Sequence, residues 1–150
     1  MRAIKRLVEY LENLDAVSIV QLSRAIRNAA SNDLKRTMEI ISKNCKRIVD
    51  FFEKQIPKAS LGEIGVFLYT THTIDPEIFK LTVEVLLKYE DTIISRSRRS
   101  GILEVAEFLS GISFARDILG FIRRIINTLK ANIDKYSIHE ISEFLVYLSV

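Results

Sequence analysis

One short pattern occurs four times along the chain, and no other feature restricts the possible folds as strongly. A small or polar residue leads an aliphatic-rich amphipathic segment in Ser18-IVQLSRAI, Ser60-LGEIGVFL, Gly101-ILEVAEFL and Ser137-IHEISEFL. The equivalent positions Leu22, Ile64, Val105 and Ile141 are separated by 42, 41 and 36 residues. Within each copy the apolar residues recur at i, i+3 and i+7: Ile19, Leu22, Ile26; Leu61, Ile64, Leu68; Ile102, Val105, Leu109; Ile138, Ile141, Leu145. That spacing marks one face of a helix. Ser18, Ser60 and Ser137 precede their copies and Ser100 stands just before the third, while Glu63, Glu104 and Glu140 lie three residues into theirs. Serine followed by glutamate in this way is the signature of a capping box, in which each side chain satisfies the other residue's unpaired amide.

A longer stripe follows each of the first three copies: Leu34, Met38, Ile41, Cys45, Val49; Ile78, Thr82, Val85, Tyr89, Ile93; and Ile118, Ile122, Ile125, Leu129, Ile133. Helix-start signals precede them at Ser31-Asn32-Asp33, at Asp75 with Pro76, and at Ser113, while Pro57 and the Ser95 to Ser100 stretch close the first two. The reading is one all-α domain over 1–150. A leading helix covers 3–14, hairpins of a short helix of about 10 residues and a long one of about 20 cover about 18–56, 60–95 and 100–135, and a trailing short helix covers 137–149. Such hairpins cannot bury their own apolar faces and must stack. The fold expected is a right-handed α-solenoid; the alternative is an irregular helical bundle closed around one centre.

Composition agrees with helices. Five Gly and two Pro among 150 residues are too few for the many turns of a sandwich or barrel, and 48% hydrophobic content is too high for a disordered segment. One Cys rules out an internal disulfide and a Cys-based zinc site, and the two His have no metal-ligand spacing, so no metal or cofactor is expected. No apolar run reaches the roughly 18 residues that span a bilayer. The start carries Glu9, Glu12 and Asp15 beside its basic residues, which argues against an attached targeting peptide and for an intracellular chain. Ile4, Leu7, Val8, Leu11 and Leu14 lie on one face, which reads as a capping helix in preference to a membrane-surface helix.

The segment Tyr136-Ser137-Ile138-His139-Glu140-Ile141-Ser142-Glu143-Phe144-Leu145 resembles the short-helix element of organellar helical-repeat proteins, namely the octotricopeptide, heptatricopeptide and FAST-kinase-like repeats. The resemblance covers roughly 18–150. It implies an organellar, often mitochondrial, RNA-associated protein such as a ribosomal subunit. The unit length drifts from 42 to 36 and no C-terminal RAP-type segment is recognisable, which departs from those families.

The net charge of +3 divides into +4 over residues 1–56, −3 over 57–95 and +2 over 96–150. Arg96, Arg98 and Arg99 stand beside a helix start, where guanidiniums and unpaired amides can hold a phosphate, and Arg123 and Arg124 follow in the repeat order. Arg36, Lys43 and Arg47 fall at i, i+7 and i+11, on one face of the first long helix, with Lys35 beside them. These are the RNA-phosphate candidates; the alternatives are solvated faces or contacts to an acidic protein. Phe51, Phe52, Phe67, Phe79, Phe108, Phe114, Phe121 and Phe144 sit at apolar helical positions, which reads as core more than as base-stacking surface. The chain ends on a hydrophobic helix, so Phe144, Leu145, Tyr147 and Leu148 are candidates for contact with other protein subunits. His72 and His139 lack a nucleophile or carboxylate arrangement, Cys45 lies in an apolar stripe, and the glycines are scattered. A non-enzymatic subunit of a ribonucleoprotein assembly is therefore expected, with a protein-binding scaffold as the alternative.

Overall fold

Hydrogen-bonded side-chain caps at Ser18, Asp33, Ser60, Asp75 and Ser137 mark where five helices of this chain begin. A computed structural model describes residues 2–116 and 118–149, with side chains as far as Val146 in the last helix. Among these residues there are ten α-helices, two 3₁₀ turns and no strand: α1 (Arg2–Glu12), α2 (Ile19–Asn32), α3 (Leu34–Lys43), α4 (Cys45–Gln55), α5 (Leu61–Ile74), α6 (Pro76–Leu87), α7 (Glu90–Ser97), α8 (Ile102–Ile112), α9 (Leu119–Ala131) and α10 (Ile138–Ser149). The fold is all-α. Capping boxes close at Ser60 with Glu63 (3.1 and 2.8 Å) and at Ser137 with Glu140 (both 3.1 Å). A third closes at Ser18, where Gln21 takes the part of the glutamate (3.1 and 2.9 Å). The third copy has no box: Gly101 is the N-cap of α8, and the Ser100 hydroxyl instead donates to the Arg96 carbonyl at 2.9 Å.

Two aspartates each end one helix and start the next. Asp33 (φ −155°, ψ 91°) lies between α2 and α3 and accepts the Arg36 amide at 3.1 Å. Asp75 (φ −148°, ψ 100°) lies between α5 and α6 and accepts the Glu77 amide at 3.0 Å, with Pro76 at the first helical position. One extended residue thus makes each of these two corners. The third corner is different. Ser113 does not start a helix but ends α8, its hydroxyl donating to the Ser110 carbonyl at 2.8 Å, and α9 begins only at Leu119.

The long helices expected from the stripes are interrupted. The first breaks at Asn44, whose side-chain amide donates to the Ile40 carbonyl at 2.8 Å, leaving α3 and α4. The second breaks at Lys88 and Tyr89, leaving α6 and α7, and the third spans only the 13 residues of α9. Leu34 and Met38 of the first stripe are exposed, whereas Thr37, Ile40 and Ile41 are buried. Thr37 can face inward because its hydroxyl donates to the Asp33 carbonyl at 2.7 Å, so no polar group is left unpaired.

Packing follows two rows. α1 lies on α2, α2 on α5, α5 on α8 and α8 on α10; the second row is made of the interrupted segments, α3 with α4, α6 with α7, and α9, in which α4 lies on α6 and α7 on α9. The first row buries Leu7, Leu11, Leu22, Ile26, Ile64 and Val105; each such side chain contributes about 1.5–3 kcal/mol. Aromatic pairs join the rows: Phe52 of α4 stacks on Phe67 of α5 (centroids 5.2 Å apart, planes 15°), and Phe108 of α8 meets Phe121 of α9 edge-on at 6.1 Å. The tightest crossing is α5 on α8. A Cβ built on Gly65 would stand 2.3 Å from the Glu107 carbonyl oxygen, and one on Gly111 would stand 2.3 Å from the Gly65 carbonyl oxygen. The two backbones touch there because neither residue has a side chain.

Candidate nucleic-acid interface

The nine cations singled out from the sequence all fall on the second row or the turn after it: Lys35, Arg36 and Lys43 on α3, Arg47 on α4, Arg96 on α7 with Arg98 and Arg99 just beyond, and Arg123 and Arg124 on α9. By contrast α5, α8 and α10 contain no lysine or arginine and carry five glutamates, Glu63, Glu104, Glu107, Glu140 and Glu143. The remaining basic residues of the first row, Arg2, Lys5, Arg6, Arg24 and Arg27, belong to α1 and α2. Past α2, therefore, the first row is acidic and the second carries the cations.

The nine are not equivalent. Arg96 is partly buried, and its guanidinium Nη1 donates to the carbonyls of Ile56 (2.7 Å) and Ala59 (2.8 Å), tying α7 to the connection between α4 and α5. Burial, and secondarily the charge of Arg99, lowers its pKa from the ordinary arginine value. Arg124 pairs with Asp91 at 2.9 Å and Glu90 at 3.3 Å on α7, and the hydrogen bond to Asp91 is the main cause of its raised pKa. Lys35, Arg36, Lys43, Arg98, Arg99 and Arg123 are exposed and make no ion pair among the described residues. Arg47 is exposed and touches only the Asn44 amide oxygen at 3.4 Å. The single face drawn through Arg36, Lys43 and Arg47 is interrupted by the break at Asn44, since Lys43 ends α3 and Arg47 belongs to α4.

Further polar ties connect residues far apart in the sequence. The Tyr89 hydroxyl donates to Glu53 at 2.6 Å, 36 residues back, and the Tyr136 hydroxyl reaches the Ser100 carbonyl at 3.4 Å, also 36 back. Both phenols have raised pKa values, Tyr89 chiefly from its bond to Glu53 and Tyr136 chiefly from burial. No local motif announces such ties, but their sequence separations, like the 37 and 40 of Arg96, fall near the 36 to 42 residues that separate copies of the short sequence pattern.

The terminal helix divides its apolar residues between two sides. Ile141 and Phe144 are half-buried against the core, so Phe144 faces inward, whereas Ile138 (85%), Leu145 (60%) and Val146 (65%) are exposed. The expected stripe of Ile138, Ile141 and Leu145 is therefore split. The side chains of Tyr147 and Leu148 lie outside the described residues. Phe114, expected in the core, is 46% exposed beside Tyr69 at 51%. Its position after the end of α8, in place of a helical stripe, is what releases it.

The groups with possible chemistry are dispersed. His72 lies between the rings of Phe114 and Phe79, and exposed His139 pairs with Glu143 at 2.9 Å. Cys45 is half-buried, and burial, then the charges of Asp75 and Glu77, raise its thiol pKa. Among the described residues no three His, Cys, Asp or Glu side chains gather as a metal would require, and no helix is long and apolar enough to cross a membrane. Compared with known proteins, the chain matches no family model, no curated protein and no solved structure.

Proposed function

We propose that this protein is a non-enzymatic helical-repeat subunit of a ribonucleoprotein assembly, a right-handed solenoid of three hairpins that contacts RNA phosphates through its second row. The observation that carries the reading is the separation of charge: Lys35, Arg36 and Lys43 on α3, Arg123 on α9 and Arg98 and Arg99 after α7 are exposed and make no ion pair among the described residues, against helices α5, α8 and α10 that hold only glutamates among their strong charges. Phosphate contact displaces condensed counterions and needs no deep pocket, so an open row of Lys and Arg suffices. The order of packing, α1 to α10 by way of α2, α5 and α8, supports an open array more than a closed bundle. The likeness to organellar repeat proteins points the same way and to a mitochondrial location.

Binding of a short single-stranded RNA, measured by anisotropy at increasing salt, tests this. Replacing Lys35, Arg36 and Lys43 by Ala should weaken binding and reduce the slope of log K against log salt by about 2, three contacts at about 0.7 each. Absence of binding even at about 50 mM salt refutes the reading. One observation favours a protein-binding scaffold instead: the outward row of Ile138 and Leu145 on α10. Under that reading, Leu145→Ser dissociates the native assembly while RNA affinity, if any, is unchanged.

A further inference from the structure

Away from the exposed lysines of α3, one surface brings flat aromatic area and positive charge together. His72 of α5 stacks on Phe114 with centroids 4.0 Å apart and planes 13° apart, and it meets Phe79 of α6 edge-on at 5.0 Å. Tyr69, one turn before His72, tilts against Phe114 at 5.9 Å. The Asp75 corner sets the relative positions of His72 and Phe79, and the end of α8 brings Phe114 to them. Buried Phe79 anchors the cluster, yet Phe114 and Tyr69 remain about half exposed. Beside them a groove of about 530 Å³ runs along α6, with Phe79, Val83, Leu87 and Phe114 as apolar wall and exposed Lys80, Glu84 and Arg116 around it.

We infer that this groove takes one unpaired nucleobase of a single-stranded RNA, stacked on Phe114, with Lys80 and Arg116 on the flanking phosphates. The inference rests on the RNA reading of the second row and adds to it a site for a base. A nucleobase has apolar faces and a polar rim, which fits an aromatic wall bordered by charged side chains; a purely apolar protein side chain would leave Lys80, Glu84 and Arg116 without partners. His72 supports the inner side of the Phe114 ring, so the ring is ordered before anything binds and little side-chain entropy is lost on stacking. Among the described residues that line the groove, the cations Lys80 and Arg116 stand against the single carboxylate of Glu84, which favours a polyanion. Glu84, an acceptor only, would take hydrogen bonds from base amino groups or ring N–H groups.

The test compares a short single-stranded RNA with a sugar–phosphate strand of equal length that lacks bases. Phe114→Ala should weaken RNA binding about fivefold to 150-fold, the range seen when one stacked base loses its aromatic partner, and leave the abasic strand unaffected. Phe114→Trp, placing a tryptophan in a chain that has none, should retain affinity, and its emission should be quenched by the RNA but not by the abasic strand. Because Phe114→Trp keeps an aromatic ring there, it separates loss of stacking from loss of folding. If RNA binds with salt-dependent affinity yet Phe114→Ala leaves it unchanged, or both strands quench equally, the base site is refuted while the phosphate reading stands, and the groove is left for a protein partner. If neither strand binds at low salt, both readings fall.

Discussion

Replacing Gly65 by Ala should destabilise this protein although alanine is the better helix former. The added Cβ would lie 2.3 Å from the Glu107 carbonyl oxygen, 2.6 Å from its carbon and 2.7 Å from the Phe108 Cα. All three are backbone atoms of α8, so no side chain can swing aside. Opening the shortest contact from 2.3 Å to between 3.0 and 3.4 Å requires α5 and α8 to part by about 0.7–1.1 Å. A gap of that size forfeits a quarter to a half of each contact's dispersion energy, and buried Leu61, Ile64, Leu68, Val105 and Phe108 pack on these two helices. Overpacking of a rigid crossing costs about 3 kcal/mol or somewhat more, and alanine's helix propensity returns about 1 kcal/mol, for a net loss of about 2–3 kcal/mol. For a chain of this size that lowers the melting temperature by about 4–12 °C. Gly111→Ala meets the Gly65 carbonyl from the other side and should behave alike, and the double variant should lose less than the sum, because one separation relieves both clashes. Gly120→Ala, with nothing within 4 Å of its Cβ, is the control and should gain up to about 1 kcal/mol. Urea titrations followed by circular dichroism read all four. If Gly65→Ala and Gly120→Ala shift the midpoint upward together, the helices do not touch through their backbones and the reasoning fails.

Three other outcomes follow from the caps and ties. Gly101→Ser should complete the missing box with Glu104 and raise stability by a few tenths to about 1 kcal/mol, visible as a higher urea midpoint at unchanged slope. Arg96→Ala should cost about 1–3 kcal/mol by stripping donors from the Ile56 and Ala59 carbonyls, whereas Arg98→Ala and Arg99→Ala should stay within about 0.5 kcal/mol in the same titration. Tyr89 has a folded-state pKa raised above its unfolded value, so the stability it contributes is complete below about pH 10 and is lost as pH rises through the folded value. Thermal melts of the parent and of Tyr89→Phe on either side of that range should show the smaller alkaline loss in the variant; equal losses would mean that the Glu53 bond is not formed in solution.

The capped helix starts were legible because a cap is local chemistry: Ser60 needs only Glu63, and Asp75 needs only its own following turn, whereas the uncapped starts of α4, α7 and α9 were not. The all-helical class followed from the same residues. Interruptions were harder to read. Asn44 breaks a stripe whose apolar spacing continues past it, and the inward face of α3 runs through Thr37, which a count of apolar residues passes over because its hydroxyl is satisfied within its own helix. The basic candidates were visible as residues but not by role, since what separates Arg96 from Arg98 is a pair of carbonyls 37 and 40 residues earlier. Phe114 was misplaced for a related reason: its exposure depends on α8 ending at Ile112, and neither Ser113 nor its neighbours carry a strong stop signal.

The single-residue corners at Asp33 and Asp75 have a consequence for how this chain can vary. A corner with no spare residue cannot absorb an insertion, and its aspartate ends one helix and caps the next, so losing it disturbs two helices at once. The connection from α8 to α9 is longer, and its residues Phe114 and Arg116 border the groove along α6. Changes in length are therefore best tolerated at the third corner, where they would alter what the groove binds while leaving the stacking of α2, α5 and α8 in place.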